Sequence, residues 1–138
     1  MIAGLEFSNK TKSKDEVLTF LHSLPFNFQL TGSRFFGNEK ADSDYDFFVQ
    51  HNYNLVETLL RFGFEDIKQK TLLGGGYDGK QFIIILEYKT FDVPIQIQLV
   101  DYFPHKLNVQ HRLKDNLTFF NSLTKEQRKE LWGLMLGF

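Results

Sequence analysis

Two aspartates separated by one residue, Asp44 and Asp46, stand a short way downstream of a Gly32-Ser33 pair. Tyr45, Phe47 and Val49 alternate with Asp44, Asp46 and Phe48, the period of a half-buried strand over 44–49. Side chains two apart on a strand share a face, so the two carboxylates have Cα atoms roughly 7 Å apart and can converge on one hard cation. Two carboxylate oxygens completed by triphosphate oxygens suit Mg²⁺ or Mn²⁺. Gly32 removes a side chain where backbone must approach a phosphate, and Ser33 offers a hydroxyl and an amide N–H to a phosphate oxygen. Arg34 follows them as a candidate phosphate contact or a solvent-facing residue. The chemistry these parts would perform together is phosphoryl transfer: a metal that neutralises a triphosphate, polarises its α-phosphorus and lowers the pKa of an attacking hydroxyl.

The elements that must position these residues are legible from periodicity. Ser13 and Glu16 have capping-box spacing, and Val17, Phe20, Leu21 and Leu24 predict a helix that Pro25 stops. Phe26, Phe28 and Leu30 alternate with polar residues and predict a strand ending at Gly32. The residues 34–43 read as a polar connection. Leu55, Leu59 and Phe62 mark a helix over 54–62 closed by Gly63, and 64–68 reads as a short strand. After a glycine-rich link over 72–79, strands over 80–88 and 93–100 form a hairpin. Pro104 opens a helix carrying Leu107, Leu113, Leu117 and Phe120. Thr124 with Gln127 repeats the capping-box spacing before a last helix with Leu131, Leu134 and Met135.

This order predicts one α+β domain over 1–138, a small mixed sheet with helices packed mainly on one face. The 138 residues fit a single core, and 16 Phe supply apolar area to fill it. Sixteen basic residues against 17 acidic ones leave a net charge of −1, which gives no support to a broad polyanion-wrapping surface, so any nucleic-acid contact is expected to be local. The absence of cysteine excludes disulfides and thiolate metal sites. The first residues, Met1 to Phe7, lack a basic leader and a long apolar stretch, and no apolar run is long enough to span a bilayer, so the expectation is a cytoplasmic protein with no membrane partner.

The segment from Thr31 to Phe47 resembles the DNA polymerase β-like nucleotidyltransferase superfamily, whose signature is a Gly-Ser pair followed, after a variable loop, by Asp-x-Asp on the next strand. Gly32-Ser33-Arg34, then Gly37, then Asp42-Ser43-Asp44-Tyr45-Asp46 is similar to its minimal nucleotidyltransferase members in particular. The motif covers about a tenth of the chain, and the preceding helix and following hairpin match the family's order. The resemblance implies an α+β core, Mg²⁺ dependence, ATP or another NTP as substrate, and transfer of a nucleoside monophosphate with release of pyrophosphate. The acceptor is left open among an RNA end, a protein side chain and a small molecule.

The family places a third carboxylate on a later strand, which in this sequence is 93–100. Its candidate positions hold Gln96 and Gln98, amides that orient a hydroxyl but are poor bases and weak Mg²⁺ ligands. Asp101 flanks the strand and is the candidate replacement if the strand ends early or bulges. Without such a carboxylate, the alternative is a degenerate domain acting as a nucleotide-binding or protein-binding regulatory or inhibitory module. Gly74-Gly75-Gly76 lacks a following Gly-Lys-Ser/Thr and reads as a loop over the site. Lys106, Arg112 and Lys114 form a basic helix side that faces a polyphosphate or water. His105 and His111 share no ligand spacing and read as surface or packing residues. Trp132 with its apolar neighbours reads as core, while exposed apolar residues of the C-terminal helices could form a homodimer or partner surface.

Overall fold

The computed structural model describes residues 11–73 and 80–136. In chain order the elements are α1 (Lys14–Ser23), β1 (Gln29–Thr31), α2 (Gly32–Phe36), β2 (Tyr45–Gln50), α3 (Tyr53–Phe62), β3 (Glu65–Leu73), β4 (Lys80–Lys89), β5 (Pro94–Val100), α4 (Phe103–Asp115), α5 (Leu117–Ser122) and α6 (Lys125–Leu136). The strands form a mixed sheet in the order β1-β2-β5-β4-β3, parallel between β2 and β5 and antiparallel elsewhere. The chain is therefore of the α+β class. No helix among the described residues is long and apolar enough to cross a membrane.

Local chemistry starts the helices as the spacing predicts. Ser13 Oγ accepts from the Glu16 amide at 3.2 Å while Glu16 Oε1 accepts from the Ser13 amide at 3.1 Å, closing a capping box on α1. Thr124 and Gln127 make the same reciprocal pair ahead of α6, at 2.9 and 3.1 Å. Asn52 caps α3 through the Leu55 amide, and Gly63 closes it.

Helices cover both faces of the sheet, which corrects the expectation that they pack mainly on one. α1 and α3 lay Val17, Leu21, Leu55 and Leu59 against Phe47, Val49, Leu86, Ile95 and Ile97. On the opposite face Phe36 of α2, Val109 and Leu113 of α4, Phe120 of α5 and Leu136 of α6 pack with Phe48, Ile83 and Val100. The physical reason lies in the strands. Phe47, Phe48 and Val49 are all buried although neighbours point to opposite faces, so both sides need an apolar cover.

Three further differences from the sequence reading are local. β3 runs to Leu73 rather than ending near 68, because a polar edge strand takes its pairing from β4 rather than from its own alternation. The helix begun at Pro104 breaks at Asn116, whose φ of −118° and ψ of 41° separate α4 from α5. The connection after Gly32 is not wholly irregular: it opens with α2. Gly74, Gly75 and Gly76, and the segment from Met1 to Phe7, lie outside the described residues. On α6, Leu134 is exposed while Leu131, Trp132 and Met135 pack toward the sheet.

Candidate active site

The geometry begins at one row across the sheet. Thr31 pairs with Asp46, Asp46 with Gln96, Gln96 with Glu87 and Glu87 with Glu65. Paired residues share a face, and alternation adds Phe48, Gln98 and Val100 to the same side. Asp44 precedes β2 by one position, two residues from Asp46. Gln96 and Gln98 thus lie on the carboxylate face, as the strand period requires.

Gly32 and Asp46 are in intimate contact. Gly32 has φ +70°, and a Cβ placed on it would lie 2.5 Å from Asp46 Oδ2, closer than any real contact. The glycine is required twice, for its left-handed backbone and for the room it leaves beside the carboxylate. Gly32, Ser33 and Asp46 all line one cavity of roughly 730 Å³. Its apolar side includes Phe36, Tyr102, Phe120 and Trp132. Among the described residues its cations are Lys40, Lys106, Lys125, Arg128 and Lys129, against the single carboxylate of Asp46.

Burial pushes the Asp46 carboxyl up to about 6, with Asp44 and Glu87 adding repulsion and Lys106 opposing it. Asp44 is also raised, first by burial and then by Glu87, with Arg34 opposing. Lys106 is almost fully buried, and that desolvation lowers its ammonium to about 8 despite the attraction of Asp46. Two carboxylates that repel each other in a half-dry site are stabilised in their charged forms by a cation between them.

The donor set decides how a metal would fit. Among the described residues no three His, Cys, Asp or Glu side chains gather as a metal-holding group. Two neighbouring carboxylates remain, enough for Mg²⁺ when a ligand's phosphate oxygens and water complete the shell. Two carboxylates do not make an all-protein cage.

Other candidates land elsewhere. Arg34 is not a lining residue of the cavity: its Nη2 donates to the carbonyl of Ser43 at 2.9 Å and reaches that of Ala41 at 3.5 Å, and its guanidinium lies 4.0 Å from the Tyr45 ring centroid. It braces the loop that delivers Asp44. The expectation for Asp101 is corrected. It follows the end of β5, where Val100 pairs with Gln50, whereas Asp46 pairs with Gln96. Five residues along a strand are roughly 16 Å, too far to share an ion with Asp46.

Sequence reasoning missed Glu87. It lies on β4, one strand beyond Gln96, and its Oε2 accepts from Gln96 Nε2 at 2.9 Å. The signal was faint: a charged residue at the end of the apolar run Ile83-Ile84-Ile85-Leu86, which reads as a strand end until the register aligns it with Asp46. Gln110 was missed too. It is fully buried on α4 and donates to the Leu30 carbonyl at 2.8 Å, fixing the end of β1 just before Gly32. On the same helix Lys106 turns into the cavity, while Lys114 bonds the Phe35 carbonyl and Arg112 is exposed, so the basic side divides three ways. His105 and His111 are exposed.

The glycine-serine bend and Asp46 therefore open onto one cation-lined cavity, with Asp44 beside them and Glu87 one amide away. Comparison with protein-family models, with curated proteins and with solved structures returns no match to this chain.

Proposed function

We propose that the chain is a metal-dependent nucleotidyltransferase that moves a nucleoside monophosphate from an NTP to a hydroxyl-bearing acceptor. The observation that carries this reading is the contact of Gly32 with Asp46 on the wall of a cavity whose other charges, among the described residues, are all cationic. A carboxylate pair without a nearby cation repels phosphate, so the combination makes physical sense when a divalent metal joins the two. The resemblance of Gly32-Ser33 and Asp44-x-Asp46 to the nucleotidyltransferase signature points the same way.

In this reading Asp44 and Asp46 would hold Mg²⁺, with the donor's phosphate oxygens completing its ligands. The bound ion would supply charge neutralisation of the triphosphate and polarisation of its α-phosphorus. Ser33 hydrogen-bonds a phosphate oxygen through its hydroxyl, and Gly32 lets the backbone approach. The acceptor oxygen attacks the α-phosphorus, its new P–O bond forms as the bond to pyrophosphate breaks, and pyrophosphate departs toward the cations of the cavity. Glu87, which accepts a hydrogen bond from Gln96 Nε2, is the carboxylate to which this reading gives the acceptor's proton directly. RNA ends, protein side chains and small molecules all remain within this acceptor class, and the setting proposed is the cytoplasm.

One observation favours a second reading. The position paired with Asp46 on the neighbouring strand is Gln96, an amide, and it spends its donor on Glu87. A domain that binds nucleotide and metal in a regulatory or inhibitory role would retain the cavity without needing a base there. Labelled NTPs offered with candidate acceptors separate the two. Transfer in the native chain, lowered roughly a hundredfold or more in Asp46→Asn, supports the enzyme. Metal-dependent nucleotide binding with no transfer to any acceptor supports the module.

A further inference from the structure

On the wall of the cavity formed by α6, three cations gather at the helix end that least favours them. Lys125, Arg128 and Lys129 sit at spacings of three and four, share a helix face, and all line the cavity. The helix dipole is positive at its start, so cations there are unfavourable, and their mutual repulsion adds to the cost. Glu126, the acidic residue of that first turn, is not among the lining residues. Arg128 is anchored, its Nη1 donating to the Leu123 carbonyl at 2.6 Å.

A second observation comes from a different element. Lys106 of α4 is 4% exposed and lines the same cavity, and among the described residues its ammonium makes no hydrogen bond or ion pair. Its Nζ lies 4.8 Å from the Trp132 ring centroid and 5.3 Å from that of Phe48. Contacts with aromatic faces and the attraction of Asp46 beyond ion-pair distance replace only part of the water this ammonium gives up. A ligand bearing several linked negative charges would relieve both arrangements at once, whereas a single small anion would meet only part of a wall that extends from α4 to the first turns of α6.

We propose that Lys106, Lys125 and Lys129 form a metal-independent subsite for a linear phosphate chain, on the cavity wall contributed by α4 and α6 rather than by the glycine-serine bend. The identity of the ligand's remainder as a nucleoside rests on the nucleotidyltransferase reading; the grip on linked phosphates does not. Arg128 shapes the wall while remaining tied to its own helix start.

The chain's single tryptophan, Trp132, lies against Lys106 and reports on the cavity. Inorganic tripolyphosphate is titrated into the full chain in EDTA at fixed ionic strength, with Trp132 fluorescence and calorimetry read in parallel. Saturable binding is expected, at least about tenfold tighter than orthophosphate, and an NTP in EDTA should bind through the same wall. The double variant Lys125→Gln/Lys129→Gln alters two exposed residues, so it should fold normally and weaken tripolyphosphate by about tenfold or more. Asp46→Asn should bind it as tightly as the native chain or tighter, since a negative charge is removed. No calorimetric binding, equal affinity in the double variant, or equal affinity for orthophosphate would overturn the proposal. Tripolyphosphate binding without NTP transfer would defeat the enzymatic reading and leave the subsite standing; transfer without metal-free binding would do the reverse.

Discussion

On the face covered by α1 and α3, the central strands present Phe47, Val49, Leu86, Ile95, Ile97 and Leu99, nearly all fully buried. On the other face the same strands present Asp46, Glu87, Gln96 and Gln98 before reaching Phe48 and Val100. One side is built of groups that gain by leaving water. The other holds a carboxylate raised by burial, a lysine lowered by it, and two glutamates paired directly across β3 and β4, all of which cost stability in the isolated chain. The difference teaches that the apolar face offsets what the polar face spends, and that the polar face holds groups whose charges a ligand would reconcile.

The comparison breaks most sharply on the apolar side. Ile97→Ala removes a fully buried side chain from that core and should lower unfolding stability by about 2–5 kcal/mol in urea titrations. The variant that remains folded should keep its tripolyphosphate affinity, because Ile97 points away from the cavity. A large loss of affinity in the folded fraction would show that the two faces are not separable.

A smaller effect of opposite sign is expected from Asp46 in metal-free protein. Its folded pKa of about 6 lies above the ordinary carboxylate value of 3.8, so the folded state holds the proton more tightly than the unfolded state. This group therefore costs nothing below about pH 4 and progressively more as pH rises toward 6, reaching on the order of 2–3 kcal/mol at neutrality before solvent screening reduces it. Asp46→Asn should accordingly be more stable than the native chain at pH 7.5, with the gap closing by pH 4 in paired denaturation curves. Saturating Mg²⁺ with an NTP should narrow the gap at pH 7.5, because the metal adds to the stabilisation of the native chain beyond what the NTP gives either protein. A gap independent of pH would refute the electrostatic account of this face.

The smallest change should follow Glu87→Gln. The substitution preserves shape and can keep a hydrogen bond with Gln96, so stability should move by less than about 1 kcal/mol. If Glu87 receives the acceptor proton, kcat should fall by roughly tenfold or more while the KM for the NTP stays near its native value. An unchanged kcat would leave Gln96 alone as the residue attending the acceptor.

The sequence by itself determined much of the local structure, for reasons that lie within a few residues. Capping pairs Ser13–Glu16 and Thr124–Gln127 announce α1 and α6 because the bonds they make span only three residues. Gly32, Ser33 and Asp46, which line one cavity, were legible together because a short segment joins the glycine to the strand, while Asp44 lies one position before β2 and is not among the lining residues. What only the tertiary structure decided depends on register and on contacts between distant segments. Glu87 joins the row through pairing with Gln96, and Asp101 leaves it by five residues of the same strand. Arg34 turns back to the Ala41 and Ser43 carbonyls instead of entering the cavity, and Lys106 enters it only because α4 crosses behind Phe48. The second helical layer follows from burial on both sides of β2, which an isolated run of apolar residues shares with many other arrangements. Hydrogen-bond register and desolvation are properties of the assembled sheet, so no window of neighbouring residues contains them.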